Sequence, residues 1–159
     1  MMYYFDTLIT PVGVLRLVVS DVALQCVIFP HEQFLFEALQ KPKHPIIVAT
    51  KKQLKEYFAG KRKNFDLPIE CEGTDFQKKA WKVLTQIPYS QTISYMEEAQ
   101  RAKRGSAVRA IASANGKNPL PIIVPCHRVI ASNGKLGGYS GGLEVKKFLL
   151  ALEQKHKSI

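Results

Sequence analysis

Acid is the first thing in short supply. Across residues 99–143 of this 159-residue chain there is no Asp or Glu at all. Cysteine is scarce as well: only Cys26, Cys71 and Cys126 occur. That excludes a disulfide-stapled secreted framework, and an odd count leaves at least one thiol free, as expected of a reduced cytoplasmic protein. No apolar run approaches the roughly 20 residues that span a bilayer. The first residues, Met1-Met2-Tyr3-Tyr4-Phe5-Asp6, lack the basic region and clean apolar stretch of a signal peptide. There is no internal repeat and no low-complexity segment. A composition of 46% hydrophobic and 23% charged residues excludes disorder and collagen.

What is present is basic. The chain has 23 Lys and Arg against 13 Asp and Glu, a net charge of +10. Residues 1–70 hold 9 basic and 7 acidic side chains, and residues 71–159 hold 14 and 6. The acid-free stretch carries Arg101, Lys103, Arg104, Arg109, Lys117, Arg128 and Lys135. A face of this kind suits a polyanion, with nucleic acid the leading candidate. The competing reading is a protein that merely has a high pI.

The first third reads as strands. Residues 3–9 and 14–19 are rich in β-branched and aromatic side chains, with Pro11-Val12-Gly13 as the turn between them. A third apolar run covers residues 22–29, so a small antiparallel meander is expected. Pro42 to Pro45 breaks the pattern, helical spacing runs over residues 50–58 to a stop at Gly60, and residues 65–69 suit another strand. The boundary falls at Cys71-Glu72-Gly73, giving an α/β domain over 1–70 and a second domain over 71–159.

The second half reads as helices. Thr74-Asp75-Phe76-Gln77 and Ser94-Tyr95-Met96-Glu97 both have the form of a capping box, in which a hydroxyl and a side chain three residues on satisfy orphan backbone donors. Residues 106–115 form an alanine-rich helix before Gly116. Two short helices across Lys103-Arg104-Gly105 suggest either a helix-turn-helix or an ordinary αα-hairpin. The last helix places Val145, Phe148, Leu149 and Leu152 on one core stripe, with Glu153 at its edge.

The chemical centre is Asn118-Pro119-Leu120-Pro121-Ile122-Ile123-Val124-Pro125-Cys126-His127-Arg128-Val129. Its prolines fix φ and push the preceding residues toward extended backbone. Cys126 is thus held rigidly at the end of a buried stretch beside His127. A free thiol has a pKa of about 8.5, so a base or nearby positive charge is needed to generate thiolate. In an extended segment adjacent side chains point apart, so a bridging water or a loop conformation is required. An orienting carboxylate must come from outside the acid-free stretch, and Glu153 is a candidate. An inert buried thiol is the alternative. Cys26, His31 and Cys71 offer no metal-ligand spacing, so no metal and no cofactor are expected. Ser132-Asn133-Gly134-Lys135 signals a hairpin turn. Gly137-Gly138-Tyr139-Ser140-Gly141-Gly142 is either a phosphate-cradling loop or the wall of a flat pocket. The first lacks the Walker lysine and Rossmann spacing.

These motifs resemble the O6-alkylguanine-DNA alkyltransferases. The Pro125-Cys126-His127-Arg128-Val129 run is similar to that family's active-site motif. Thr74 to Gln77, Ile87-Pro88, Ser94-Tyr95 through Ala99, Val108-Arg109-Ala110-Ile111, Asn118-Pro119, the Gly-Gly-Tyr-Ser-Gly-Gly loop and Leu149 to Glu153 fall in the family's order. The pattern is dense over residues 73–154 and looser in the amino half, around Thr10-Pro11-Val12-Gly13.

The resemblance implies an α+β fold: a small ribonuclease H-like sheet with a helix, packed on a helical domain with a winged helix-turn-helix. It implies direct repair of O6-alkylguanine, with O4-alkylthymine a further substrate, by one irreversible transfer of the alkyl group to Cys126. His127 would act as base through a water, oriented by Glu153. Asn118 would hold the cysteine loop, and Tyr95 would protonate or hydrogen-bond the leaving base. Val129, Tyr139, Ser140 and Gly141 would line the pocket. Arg109 would fill the stack after base flipping. Gln77, Arg104, Arg128 and Ser132 would contact substrate or DNA. The implied partner is double-stranded DNA, met in the minor groove without strong sequence preference by a monomer with no membrane association.

Four positions depart from the family pattern. Ser90 and Gly105 replace a usual Gly and Pro, Gln154 replaces a Gly, and Asn115 stands where the residue is often apolar. A binding-only relative would lack Cys126, and a helix-turn-helix regulator would need an effector domain that is not evident here.

Overall fold

The computed structural model describes residues 2–33 and 37–158. The chain divides into two compact units, Met1–Cys71 and Glu72–Ile159. No helix among the described residues is long and apolar enough to cross a membrane.

The first unit is a four-stranded sheet with one helix. Strands β1 (Tyr3–Thr10), β2 (Gly13–Val19) and β3 (Leu24–Ile28) form the expected antiparallel meander. Gly13, at φ +103°, makes the tight turn, and a Cβ there would meet Pro30 at 2.8 Å. A fourth strand, β4 (Ala38–Gln40), pairs parallel to β1 and gives the order β3-β2-β1-β4. Sequence reading missed it because three residues carry no periodicity. Residues 65–69 do not form the expected strand: they contribute a single bridge, Leu24 to Ile69. Helix α1 (Pro45–Phe58) begins earlier than residue 50, because Pro45 opens it at N1 while His44 Nδ1 caps Ile46 N at 3.2 Å. Ile47, Leu54 and Tyr57 are fully buried with Leu15, Leu17 and Val19, each roughly 2 kcal/mol of apolar burial.

The second unit contains α2 (Asp75–Thr85), β5 (Ile93–Ser94), α3 (Tyr95–Arg101), α4 (Val108–Gly116), β6 (Val129–Ile130) and α5 (Leu143–Lys155). The capping box at Thr74 is complete, with both reciprocal bonds present. At Ser94 the hydroxyl accepts from Glu97 N at 3.0 Å, while the Glu97 carboxylate turns to pair with Arg101. Trp81 Nε1 donates to Ala114 O at 2.9 Å and ties α2 to α4. Helices α3 and α4 stand on either side of a short turn, as the helix-turn-helix reading requires. The turn at Gly134 forms, with φ +84° and Lys135 N on Asn133 Oδ1, but no hairpin follows. Strand β6 pairs instead with β5, in parallel.

Helix α5 corrects the proposed stripe. Its fully buried side chains are Lys146, Leu149 and Glu153, spaced i, i+3 and i+7, whereas Phe148 is exposed. The stripe holds at Leu149, with Val145 and Leu152 half-buried, and fails only at Phe148; Lys146 and Glu153 complete the buried face because both find buried partners.

Candidate active site

Residues 118–128 form a stiff arch. Asn118 Nδ2 donates to Val124 O at 2.8 Å, and Leu120 N donates back to Asn118 Oδ1 at 3.0 Å. The side chain thereby ties the two ends of a turn in which buried Ile122 is held at φ +75°. A β-branched residue rarely adopts that region, so the strain persists only because the Asn118 bonds and burial over-determine it. The stretch before Cys126 is therefore a turn, not the extended segment expected. Cys126 opens a 3-10 turn, Cys126–Arg128, anchored by Arg128 N on Pro125 O at 3.0 Å. In this conformation Cys126 meets the cavity while His127 and Arg128 both reach Glu153.

Cys126 faces a cavity of about 160 Å³ lined by Tyr95, Ala112, Asn115, Gly116, Gly138, Tyr139 and Ser140. Tyr95 packs so closely on Gly137 that a Cβ there would lie 2.6 Å from its hydroxyl. That is a direct reason for a glycine in this loop. The loop is held from below by Lys146, whose buried ammonium donates to Val129 O at 2.7 Å, to Leu136 O, and to Gly138 O at 3.2 Å. Sequence reading missed Lys146. Its i−3 spacing to Leu149 was the available signal, hidden by the assumption that lysine faces water.

Behind the thiol, His127 is fully buried and its Nε2 meets Glu153 Oε2 at 2.6 Å. Glu153 also accepts from Arg128 Nε at 2.9 Å, Arg128 Nη2 at 3.1 Å and Ser90 N at 3.0 Å. Burial alone would raise the Glu153 pKa. The bonds from His127 and Arg128 overcome that and hold it far below the usual carboxylate range. Burial lowers the pKa of His127 despite Glu153, so the imidazole is neutral at rest. With Glu153 ionised, Nε2 carries the proton and Nδ1 is left as the basic nitrogen. Nδ1 has no hydrogen-bond partner among the described residues.

Burial pushes the Cys126 thiol up to about 11, only partly offset by Asn118 and Lys146. The resting group is therefore a thiol, not the poised thiolate that a reactive cysteine suggests. It needs a base at the moment of reaction.

Two expected contacts are corrected. Arg128 is 6% exposed and spent on Glu153, on Ile87 O at 2.8 Å and over the Tyr89 ring, so it cannot meet DNA. Val129 is fully buried beside β5 and does not line the cavity; only its carbonyl is used, by Lys146. Gln77 is half-buried, and its Oε1 accepts from Thr74 N at 3.0 Å in the helix cap. Gly141 is buried next to the lining Ser140. Arg104, Arg109 and Ser132 are exposed, Arg104 resting over the Phe76 ring. Cys126, Tyr95, Tyr139 and Ser140 share the cavity, while His127, Glu153 and Asn118 stand behind it.

Family models match both units: the 6-O-methylguanine DNA methyltransferase DNA-binding domain over residues 75–155, and its ribonuclease-like domain over residues 3–71. The methylated-DNA–protein-cysteine methyltransferase of Methanosarcina barkeri is 53% identical over 103 residues, 65% of this chain and 65% of that protein. That alignment spans just under two thirds of the relative's length. The constitutive methylated-DNA–protein-cysteine methyltransferase of Bacillus subtilis is 42% identical, with 96% of each chain covered. The crystal structure of Mycobacterium tuberculosis OGT in complex with DNA matches with a TM-score of 0.91 at 39% identity, covering 98% of this chain and 94% of that one.

Proposed function

The chain belongs to the 6-O-methylguanine DNA methyltransferase family, and on that premise we propose that it repairs O6-alkylguanine in DNA by moving the alkyl group to Cys126. The observation that carries this reading is a thiol at a cavity wall, backed by a neutral, buried histidine whose far nitrogen is locked to an ionised carboxylate.

The target carbon is out of reach inside a duplex, so the nucleotide must be turned out at a cost of a few kcal/mol. Arg109, exposed on α4, is suited to fill the gap from the minor groove. Lys103 and Arg104 in the preceding turn are exposed and suit phosphate, an attraction that weakens with salt and carries no sequence preference. Once the base is in the cavity, His127 Nδ1 takes the thiol proton through a water, and Glu153 stabilises the resulting imidazolium. Sulfur attacks the alkyl carbon from the side opposite O6. The S–C bond forms as the C–O6 bond breaks, and the electron pair leaves on the guanine. Tyr95 lines the same cavity and donates a hydrogen bond to the departing base. Burial raises the pKa of Tyr95, so the donor stays protonated. The thioether has no route back, so each molecule acts once. The reading does not need a cofactor.

Incubation with a duplex containing O6-methylguanine should add one methyl group to Cys126, read by peptide mass spectrometry. Cys126→Ala should bind the duplex and acquire nothing. Methyl groups on Cys26 or Cys71 would refute the assignment.

A further inference from the structure

A second buried polar pair adjoins the same cavity, and the transfer chemistry does not use it. Glu98 on α3 is fully buried and Asn115 on α4 is 7% exposed. Asn115 Nδ2 donates to Glu98 Oε1 at 2.6 Å. Asn115 Oδ1 and Glu98 Oε2 have no hydrogen-bond partner among the described residues. Asn115 is also part of the cavity wall that holds Cys126. A buried amide oxygen without a donor is unfavourable, and here the unsatisfied residue borders the space a substrate must enter.

We propose that Asn115, oriented by Glu98, is a specificity-determining residue: its amide oxygen accepts a hydrogen bond from the exocyclic amine of the flipped base. The inference rests on the alkylguanine reading above. Guanine carries such an amine, whereas thymine presents only an oxygen at the equivalent edge. The amide oxygen therefore favours alkylated guanine and opposes alkylated thymine.

Glu98 sets which end of the amide is presented. An ionised carboxylate only accepts, so Nδ2 must face it and Oδ1 is left for the base. A protonated Glu98 can donate to Oδ1, and the amide then turns Nδ2 outward instead. Burial against a single donor pushes the Glu98 pKa up to about 7, so both arrangements fall in the working range. The groups coupled to Glu98 are Tyr95 on its own helix and Cys126 on the 3-10 turn, both raised by burial and both neutral there. Lys146 on α5 faces Cys126, while Lys82 on α2 and Arg109 on α4 are solvent-exposed.

The test uses two duplexes that differ by one amine, O6-methylguanine and O6-methylhypoxanthine, with methyl transfer to Cys126 timed for each. The rate ratio cancels the titration of Cys126 and His127, which both substrates share. The wild type should prefer the guanine about tenfold at pH 8, the value of one hydrogen bond, and much less at pH 6. Asn115→Ala should bring the ratio near one at both pH values. Asn115→Leu, closer in volume, repeats the measurement should the alanine variant fail to fold. Glu98→Gln, which cannot titrate, should give one ratio at both pH values. A wild-type preference that survives both Asn115 variants, or a pH-dependent ratio that survives in Glu98→Gln, overturns the inference. Transfer from neither duplex by the wild type would instead overturn the alkylguanine reading beneath it.

Discussion

Glu153 and Glu98 are both fully buried in the second unit, yet they end in opposite states. Glu153 accepts from His127, twice from Arg128, and from the Ser90 backbone. Glu98 accepts from Asn115 alone. Desolvation opposes the charge in both. Three donor groups, one of them a guanidinium in two-pronged contact, reverse it at Glu153, whereas one neutral amide leaves Glu98 raised to about 7. Burial by itself therefore says little about the charge of a carboxyl group; the donors around it decide. The same contrast divides their uses. A permanently ionised Glu153 fixes the tautomer of His127, and a carboxyl that titrates near neutrality sets the direction of an amide.

The largest break in the comparison should come from Glu153→Gln. It leaves the Arg128 charge buried without a counter-ion, and urea unfolding at pH 7 should show a loss of about 3–5 kcal/mol. Methyl transfer should slow by about a hundredfold or more in whatever fraction remains folded, because His127 loses its orienting partner. Near wild-type stability in this variant would show that Arg128 finds solvent.

Glu98→Gln should act through pH. The folded pKa lies above the unfolded value, so the stability associated with Glu98 is fully present below about pH 4.5 and is lost as pH rises to about 7. The variant should lack this decline, and its advantage over the wild type should grow between pH 4.5 and 7 to at most about 3 kcal/mol. Parallel stability–pH curves for the two proteins would contradict the assignment.

The smallest effect concerns Ser90, which holds φ +65° while its N–H serves Glu153. Gln154 Nε2 donates to Ser90 O at 3.0 Å. The two departures from the family pattern thus meet: the side chain gained at 154 braces the strained residue gained at 90. Gln154→Ala should cost about 1 kcal/mol in thermal unfolding, and Ser90→Gly should recover part of it, since glycine tolerates this conformation. Additive effects of the two changes would show that they act independently.

What could be read early was local. The strands β1 to β3, the Thr74 cap and the rigid placement of Cys126 beside His127 depend on contacts within a few residues, and the sequence displays those residues side by side. Glu153 is legible in the sequence only because the acid-free stretch forces the partner of His127 to come from elsewhere and because the family motif ends on it. Arg128 looked like one more cation for DNA, and Val129 like a pocket wall. Residue type suggests exposure for an arginine and apolar lining for a valine.

The sequence alone determined a basic, largely helical second half with one rigidly held cysteine, because composition, caps and proline act over short spans. Only the tertiary structure decided which charges go inside. Arg128, Lys146 and Glu153 are buried because donors and acceptors 8 to 63 residues away in the chain converge on them, and burying a charge is tolerable only when such partners are in place.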